Sequence, residues 1–396
     1  MSAYAKALRI TFITLFAVFV IYAVAEIAVN SDQRQWDFRT YYYAALTDAA
    51  GGNPYDLVEL NRRSPKLTVQ PFIYPPPTLV LLKVFATIPF GTAYLIWLFL
   101  KVLLAGGLIL LWRRYLFPDE GLLTFALFLL LAFGATFYID LVTGNITIIE
   151  QLFLWLGLIF LIRRRPLAFC AAILLASSFK LTPVVFLLLM PLVDAKNSRR
   201  YIIGAFAVFV TFIGLAYLLD PGGWEQFFAS LALTDEPGRF GNPSTLAFCR
   251  DLATSVADKL HVSLPTFIPY LLFGLCVCAV AWISWRSLRS VHRHSSEDRD
   301  RIIIFLFCLA FALIMPRFKT YSFVLLLPPA YYVIRRSSHL PAFGFLMALV
   351  ALTAYTPFPI KPYLQMFWTY YPLFLTVLIW GLLIQYIRTQ SQSSVT

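Results

Sequence analysis

The chain has 396 residues, of which 60% are hydrophobic and only 13% charged, whereas a soluble globular chain carries about a quarter charged residues. Together with a mean hydropathy of +0.75, that composition excludes a soluble fold. The net charge of +12 would suggest nucleic acid in a soluble protein, but the basic residues sit in short clusters between apolar runs, so they report topology and no nucleic-acid partner follows.

Leu8 to Val29 opens the chain as an apolar run without a small-residue cleavage signature, and is expected to be retained as a helix. Runs of similar length recur at Tyr94 to Trp112, Leu122 to Tyr138 and Phe267 to Trp285, each long enough to cross about 30 Å of hydrocarbon. Helix is the expected state, because lipid offers the backbone no other partner. Continuous Leu, Phe and Ala runs, instead of ten-residue alternation, argue against an outer-membrane barrel.

Basic clusters at Lys6/Arg9, Arg113/Arg114, Arg163 to Arg165, Lys196/Arg199/Arg200, Arg286 to Arg301, Arg335/Arg336 and Arg388 are assigned to the cytoplasm by the positive-inside rule. With both termini inside, about twelve crossings are expected, near 8–29, 92–112, 121–139, 146–162, 166–180, 182–193, 201–219, 267–288, 301–316, 321–335, 340–355 and 370–388. Tyr74 to Pro89 is then left over and is expected to be a re-entrant or interfacial helix on the outer side. The pair 166–180 and 182–193 is short for full spans and reads as broken helices lining a cavity.

This is an all-α polytopic membrane protein, read as one domain over 1–396, with two long outer loops at 30–71 and 220–266. Twelve of the twenty acidic residues fall in the outer segments, so activity is expected at that face. Four of the five cysteines lie in apolar segments, and no disulfide framework or metal site follows from their spacing. There is no P-loop, no Gly-rich dinucleotide fingerprint and no histidine-carboxylate metal spacing. No cofactor is expected.

Several polar constellations interrupt this pattern on the expected outer side. Gln35-Trp36-Asp37-Phe38-Arg39-Thr40-Tyr41-Tyr42-Tyr43 places a carboxylate among aromatic rings next to the first helix. Asp37 suits a general base that takes a proton from an attacking hydroxyl, with Tyr and Trp faces stacking on sugar rings. Spacing alone favours the other reading, with Asp37 as the cap of an interfacial helix starting at Phe38 and the aromatics as an interfacial belt.

Gly51-Gly52-Asn53-Pro54-Tyr55-Asp56 is a turn signal, and Tyr74-Pro75-Pro76-Pro77 opens the leftover segment. Gly144-Asn145 reads as a tight turn where an amide can approach a ligand, or as a plain left-handed turn. Lys180 interrupts an apolar hairpin, and intramembrane cations face a partner or a wet cavity. Arg317 and Lys319 lie at the same expected depth, and with Arg39 and Lys180 they can hold a phosphodiester leaving group. Snorkelling to headgroups is the alternative. Glu26 and Glu150 fall within helices, where they read as interhelical bonding partners or as proton-relay groups.

Taken in order, Asp37-Phe38 with Tyr41 to Tyr43, Gly52 to Asp56, Tyr74-Pro75-Pro76, Gly144-Asn145, Lys180 to Pro183, Gly241-Asn242-Pro243-Ser244 and Pro316 to Tyr321 before Leu325 to Pro329 resemble glycosyltransferase family 87. That group of polyprenol-phosphate-mannose-dependent mannosyltransferases belongs to the GT-C superfamily. The resemblance implies a GT-C-like bundle, a polyprenyl-phosphate-sugar donor with mannose as the default, a glycolipid or glycan acceptor, and inversion at the anomeric carbon. Asp37 takes the base role by that resemblance. Tyr41, Tyr42, Asn53, Tyr55, Tyr74, Asn145 and Asn242 are the candidate sugar or acceptor contacts.

Many relatives carry a Ser-Pro-x-x-Trp-x-His-Tyr segment where this chain has Met315-Pro316-Arg317-Phe318-Lys319-Thr320-Tyr321. Two other classes compete: a flippase for a lipid-linked saccharide, and an envelope polysaccharide polymerase or ligase. Collection of the polar groups at one face, without internal repeats, favours the transferase. A prokaryotic plasma membrane is the expected location.

Overall fold

The computed structural model describes residues 3–31, 33–64, 68–194, 198–232, 241–291, 296–336 and 362–393. The described residues form helices and no strand. Among the described residues five segments are long and apolar enough to cross a membrane: Phe90–Tyr115, Thr124–Thr143, Ser198–Leu219, Ile268–Val291 and Met366–Gln390.

The chain begins with α1 (Ala3–Val29) and then forms three short helices, α2 (Trp36–Ala49), α3 (Leu57–Arg63) and α4 (Pro76–Ala86). Local chemistry sets their ends. The Asp56 carboxylate accepts from Val58 N at 2.8 Å and caps α3, satisfying one of the orphan donors of a helix start. Pro76 and Pro77 occupy the first turn of α4, where a missing N–H costs nothing. At 1.5 Å per residue the 11 residues of α4 span about 17 Å, roughly half a hydrocarbon layer.

α5 (Phe90–Tyr115), α6 (Leu122–Thr143) and α7 (Thr147–Ile162) follow, and α5 packs against both of the others. α8 (Pro166–Phe179) leads into a 3₁₀ segment at Thr182–Leu189 and a short α9 (Met190–Val193). The expected broken pair at 166–180 and 182–193 therefore has a physical form, a 14-residue helix followed by a tighter coil after Pro183. A second 3₁₀ segment, Thr320–Leu326, precedes α15 (Leu327–Arg336) in the same manner.

The remaining described helices are α10 (Ser198–Leu219), α11 (Pro221–Ala232), α12 (Thr245–Leu260), α13 (Ile268–Val291), α14 (Ser296–Ile314) and a C-terminal helix at Pro362–Ser393. The expected second outer loop thus carries α11 and α12, and the expected crossing at 340–355 lies outside the described residues.

Among the described residues two large apolar cores hold the bundle, with a small third one at Ala247, Leu313, Tyr370 and Leu373. The larger runs through α5 to α9, α14, α15 and the C-terminal helix around Trp112, Trp155, Phe305 and Leu325. The smaller gathers α2 and α4 onto the start of α5, with Phe38 stacked 5.1 Å from Trp97 and Tyr41 edge-on to Tyr74 at 5.0 Å. α10 and α13 instead present Phe206, Leu218, Leu275 and Trp282 outward, as lipid-facing helices do when acyl chains are as apolar as the side chains themselves.

α6 is broken midway, where Phe133, Gly134 and Ala135 have φ of 52°, 68° and 59°. A left-handed conformation costs roughly 1–2 kcal/mol for each non-glycine residue. Beyond the break the Thr136 hydroxyl donates to Thr320 O at 2.5 Å, which ties α6 to the second 3₁₀ segment.

Candidate active site

The turn between α6 and α7 is the centre of the site. Gly144 closes α6 with φ of 70°. A Cβ there would lie 2.8 Å from the Gln35 Cβ and 3.1 Å from the Gln35 Cα, closer than packed atoms approach. Glycine is therefore required twice, for its left-handed backbone and for the start of α2 resting on it. Gln35 N donates to Val142 O at 2.6 Å, and Trp97 Nε1 donates to Gly144 O at 2.8 Å. These contacts bring the first turn of α2 over Asn145.

Asn145 is buried, and its Nδ2 donates to Asp37 Oδ2 at 2.7 Å, across 108 residues of sequence. The same nitrogen donates to the Tyr74 hydroxyl at 3.0 Å, which also accepts from the Tyr41 hydroxyl at 2.7 Å. Asn145 Oδ1 accepts from Thr147 N at 3.0 Å and from Thr147 Oγ1 at 2.7 Å. The amide is thus oriented by its partners on both sides, with its NH₂ group necessarily toward Asp37.

The helix α2 starts at Trp36 with Gln35 in the cap position. Asp37 lies in the first turn and not at the cap, so the capping alternative does not describe it. Asp37 Oδ1 accepts no bond from the described residues. Burial pushes its pKa above the ordinary carboxylate value, opposed by the Asn145 bond and by attraction to Lys319, Lys101 and Lys180.

Lys180 is not an unpaired cation. Its ammonium lies 2.8 Å from Glu150 Oε2, donates to Thr147 Oγ1 at 2.7 Å and sits 5.4 Å from the centre of the Tyr321 ring. Thr147 thereby links the Asn145–Asp37 pair to the Lys180–Glu150 pair. Glu150 supplies Lys180 with an anion, one form of the interhelical bonding read for it in the sequence.

The cationic turn at 316–321 is held from the other long loop. Phe318 N donates to Asn242 Oδ1 at 3.0 Å, Ser244 Oγ donates to Pro316 O at 2.7 Å, and Thr320 N donates to Gly241 O at 3.0 Å. Gly241 to Ser244 therefore acts as a clasp. It presents Arg317 and Lys319, both partly exposed, on the side where Lys319 attracts Asp37.

Of the residues singled out in the sequence, Asp37, Tyr41, Tyr74, Asn145, Lys180 and Lys319 come together. Arg39, Tyr42, Tyr55 and Asn53 are instead engaged with backbone groups. Arg39 is buried and donates to Ser31 O at 3.1 Å and Thr68 O at 3.5 Å. The Tyr42 hydroxyl donates to Ile88 O at 2.9 Å, and the Tyr55 hydroxyl to Tyr74 O at 2.8 Å. Asn53 Oδ1 accepts from Tyr55 N at 2.8 Å, the bond that shapes its own turn.

Sequence reading missed Thr147 and the buried pair of Lys101 and Asp140, 2.7 Å apart with both side chains 0% exposed. A lysine in the middle of an apolar span is a signal that could have found that pair. Among the described residues no group of three or more His, Cys, Asp or Glu is placed to hold a metal ion.

No curated protein and no solved structure matches the chain. The model of glycosyltransferase family 87 matches residues 72–316, more than half of its length. That stretch takes in Tyr74, Asn145, Lys180 and Asn242, whereas Asp37, Arg317 and Lys319 lie outside it and rest on geometry. A helical membrane bundle with a polar cluster at the α6–α7 turn accords with that match, and the chain belongs to glycosyltransferase family 87.

Proposed function

We propose that this membrane glycosyltransferase moves a sugar, mannose by default, from a polyprenyl-phosphate donor to an acceptor hydroxyl at the outer face of the membrane. The observation that carries the reading is the bond from the buried Asn145 amide to the half-buried Asp37 carboxylate, with Lys180 and Lys319 close enough to attract it. A partly desolvated carboxylate oriented by an amide suits a general base. Cations close by suit a departing phosphate, and a polyprenyl-phosphate sugar already carries a good leaving group.

In this scheme Asp37 Oδ1 takes the proton of the acceptor hydroxyl as its oxygen bonds the sugar C1. The C1–O bond to phosphate breaks in the same step, and its electron pair leaves with the polyprenyl phosphate. Lys180, Lys319 and Arg317 offset the developing charge. Tyr41 and Tyr74, both buried, back the Asn145–Asp37 pair from the protein side. Inversion at C1 follows from a single displacement.

Purified protein given polyprenyl-phosphate mannose labelled in the sugar is expected to release unlabelled polyprenyl phosphate and to label the acceptor. Intact donor carried across a vesicle membrane, without release, would mean transport and would refute the reading. The sidedness has its own test. A membrane-impermeant thiol reagent should reach Asn53→Cys in intact cells but reach Arg114→Cys and Arg200→Cys only after permeabilisation. The reverse pattern would place the site in the cytoplasm.

A further inference from the structure

We propose that Lys101 is a positioning residue for the transfer, holding the backbone of Asn145 so that its amide stays on the Asp37 carboxylate. The inference rests on Asp37 as the base. Lys101 lies in the spanning helix α5, fully buried, and its ammonium is 2.5 Å from Asp140 O, 2.5 Å from Asn145 O and 2.7 Å from Asp140 Oδ2.

An ammonium has three donors, and here three acceptors surround it. Neutralising a buried charge would need the carboxylate alone. The two carbonyls serve a different end, because they belong to the last turn of α6 and to the residue just after its left-handed cap, Gly144. Lys101 therefore bridges the α6–α7 turn.

Trp97, four residues earlier on the same helix, donates to Gly144 O at 2.8 Å. Helix α5 thus holds two consecutive carbonyls, those of Gly144 and Asn145. Thr147 fixes the Asn145 side chain through Oδ1, and what remains is Nδ2 aimed at Asp37 and Tyr74. Lys101 reaches no reacting atom in the scheme above and acts through Asn145.

The test is Lys101→Met/Asp140→Asn, which removes both charges together and strands neither in the membrane. Donor binding and thermal stability should stay near those of the parent, while kcat falls about 10- to 100-fold, as an ångström of misplacement can cause. The acid limb of the kcat/KM profile should also move to higher pH. Asp37 is faced by Asn145, Tyr41, Tyr74, Lys101, Asp140, Lys180 and Lys319. Loss of the Asn145 bond raises the pH below which the base is protonated, and the paired deletion leaves the summed charge unchanged.

Parental kcat with an unmoved limb would overturn the proposal and leave Lys101 as the counter-charge of Asp140. Should the double variant not fold, Lys101→Arg keeps the charge and displaces the donors. A lowered kcat at unchanged KM would support positioning, and parental turnover would overturn it. Asp37→Asn separates the two ideas. If that variant is inactive while the Lys101 variants are normal, only the positioning role fails. If Asp37→Asn is itself active, the base reading fails.

Discussion

Asp37→Asn is expected to give a folded, donor-binding protein whose turnover is lower by roughly 10²- to 10⁴-fold. The substitution preserves shape, and the new amide can still turn its oxygen toward Asn145 Nδ2, now 2.7 Å from Asp37 Oδ2. What it loses is the capacity to accept a proton.

The pH profile should show the same loss. Burial raises the Asp37 pKa, and the Asn145 bond and nearby cations only partly oppose it. A base works ionised, so parental turnover should fall as pH drops through that raised value, above the usual carboxylate range. The variant should lack this limb. Parent-like turnover would remove Asp37 from the mechanism. The neighbouring acids in the same loop are already engaged, Asp48 with Lys83 at 2.6 Å and Asp56 as the cap of α3.

The second large effect is expected at Lys180. Lys180→Met keeps the stem and removes the ammonium, and should weaken donor binding and the charge-developing transition state by about 2–4 kcal/mol. Part of that change would come from Glu150, whose buried carboxylate loses a partner 2.8 Å away. Removing one member of a buried pair is destabilising for this reason alone.

Lys180→Met/Glu150→Gln removes the stranded charge and isolates the role toward phosphate. It should recover thermal stability but not donor affinity or turnover. If donor affinity and kcat both return to parental values, Lys180 serves only to balance Glu150, and phosphate recognition passes to Arg317 and Lys319.

The helices were the most legible part of the chain, because a mostly apolar run such as Tyr94 to Trp112 has few other states available in lipid. The prolines at the start of α4 and the Asp56 cap were equally local and equally readable. Pairing across the chain was not. Nothing near Asp37 announces Asn145, and nothing near Lys180 announces Glu150, because helix packing brings each pair together.

Lys180 illustrates the limit well. The cost of burying its charge was visible from its apolar flanks, but whether a ligand or a side chain met that cost depended on α7. Gly144 was visible as a left-handed turn, while the close approach of Gln35 that also requires glycine there was not. Asn242 was legible as a polar residue of the long loop, whereas the hold of its side-chain Oδ1 on the backbone of the cationic turn was not.

The central claim is a single displacement with Asp37 as base, and the most direct measurement is the anomeric configuration of the transferred sugar. Proton NMR of the product from the labelled-donor reaction should show the opposite anomer to that of the donor, with one enzyme-catalysed step between them. Retention of configuration would require two displacements through a sugar–enzyme intermediate. It would make a carboxylate the nucleophile and contradict the role assigned to Asp37.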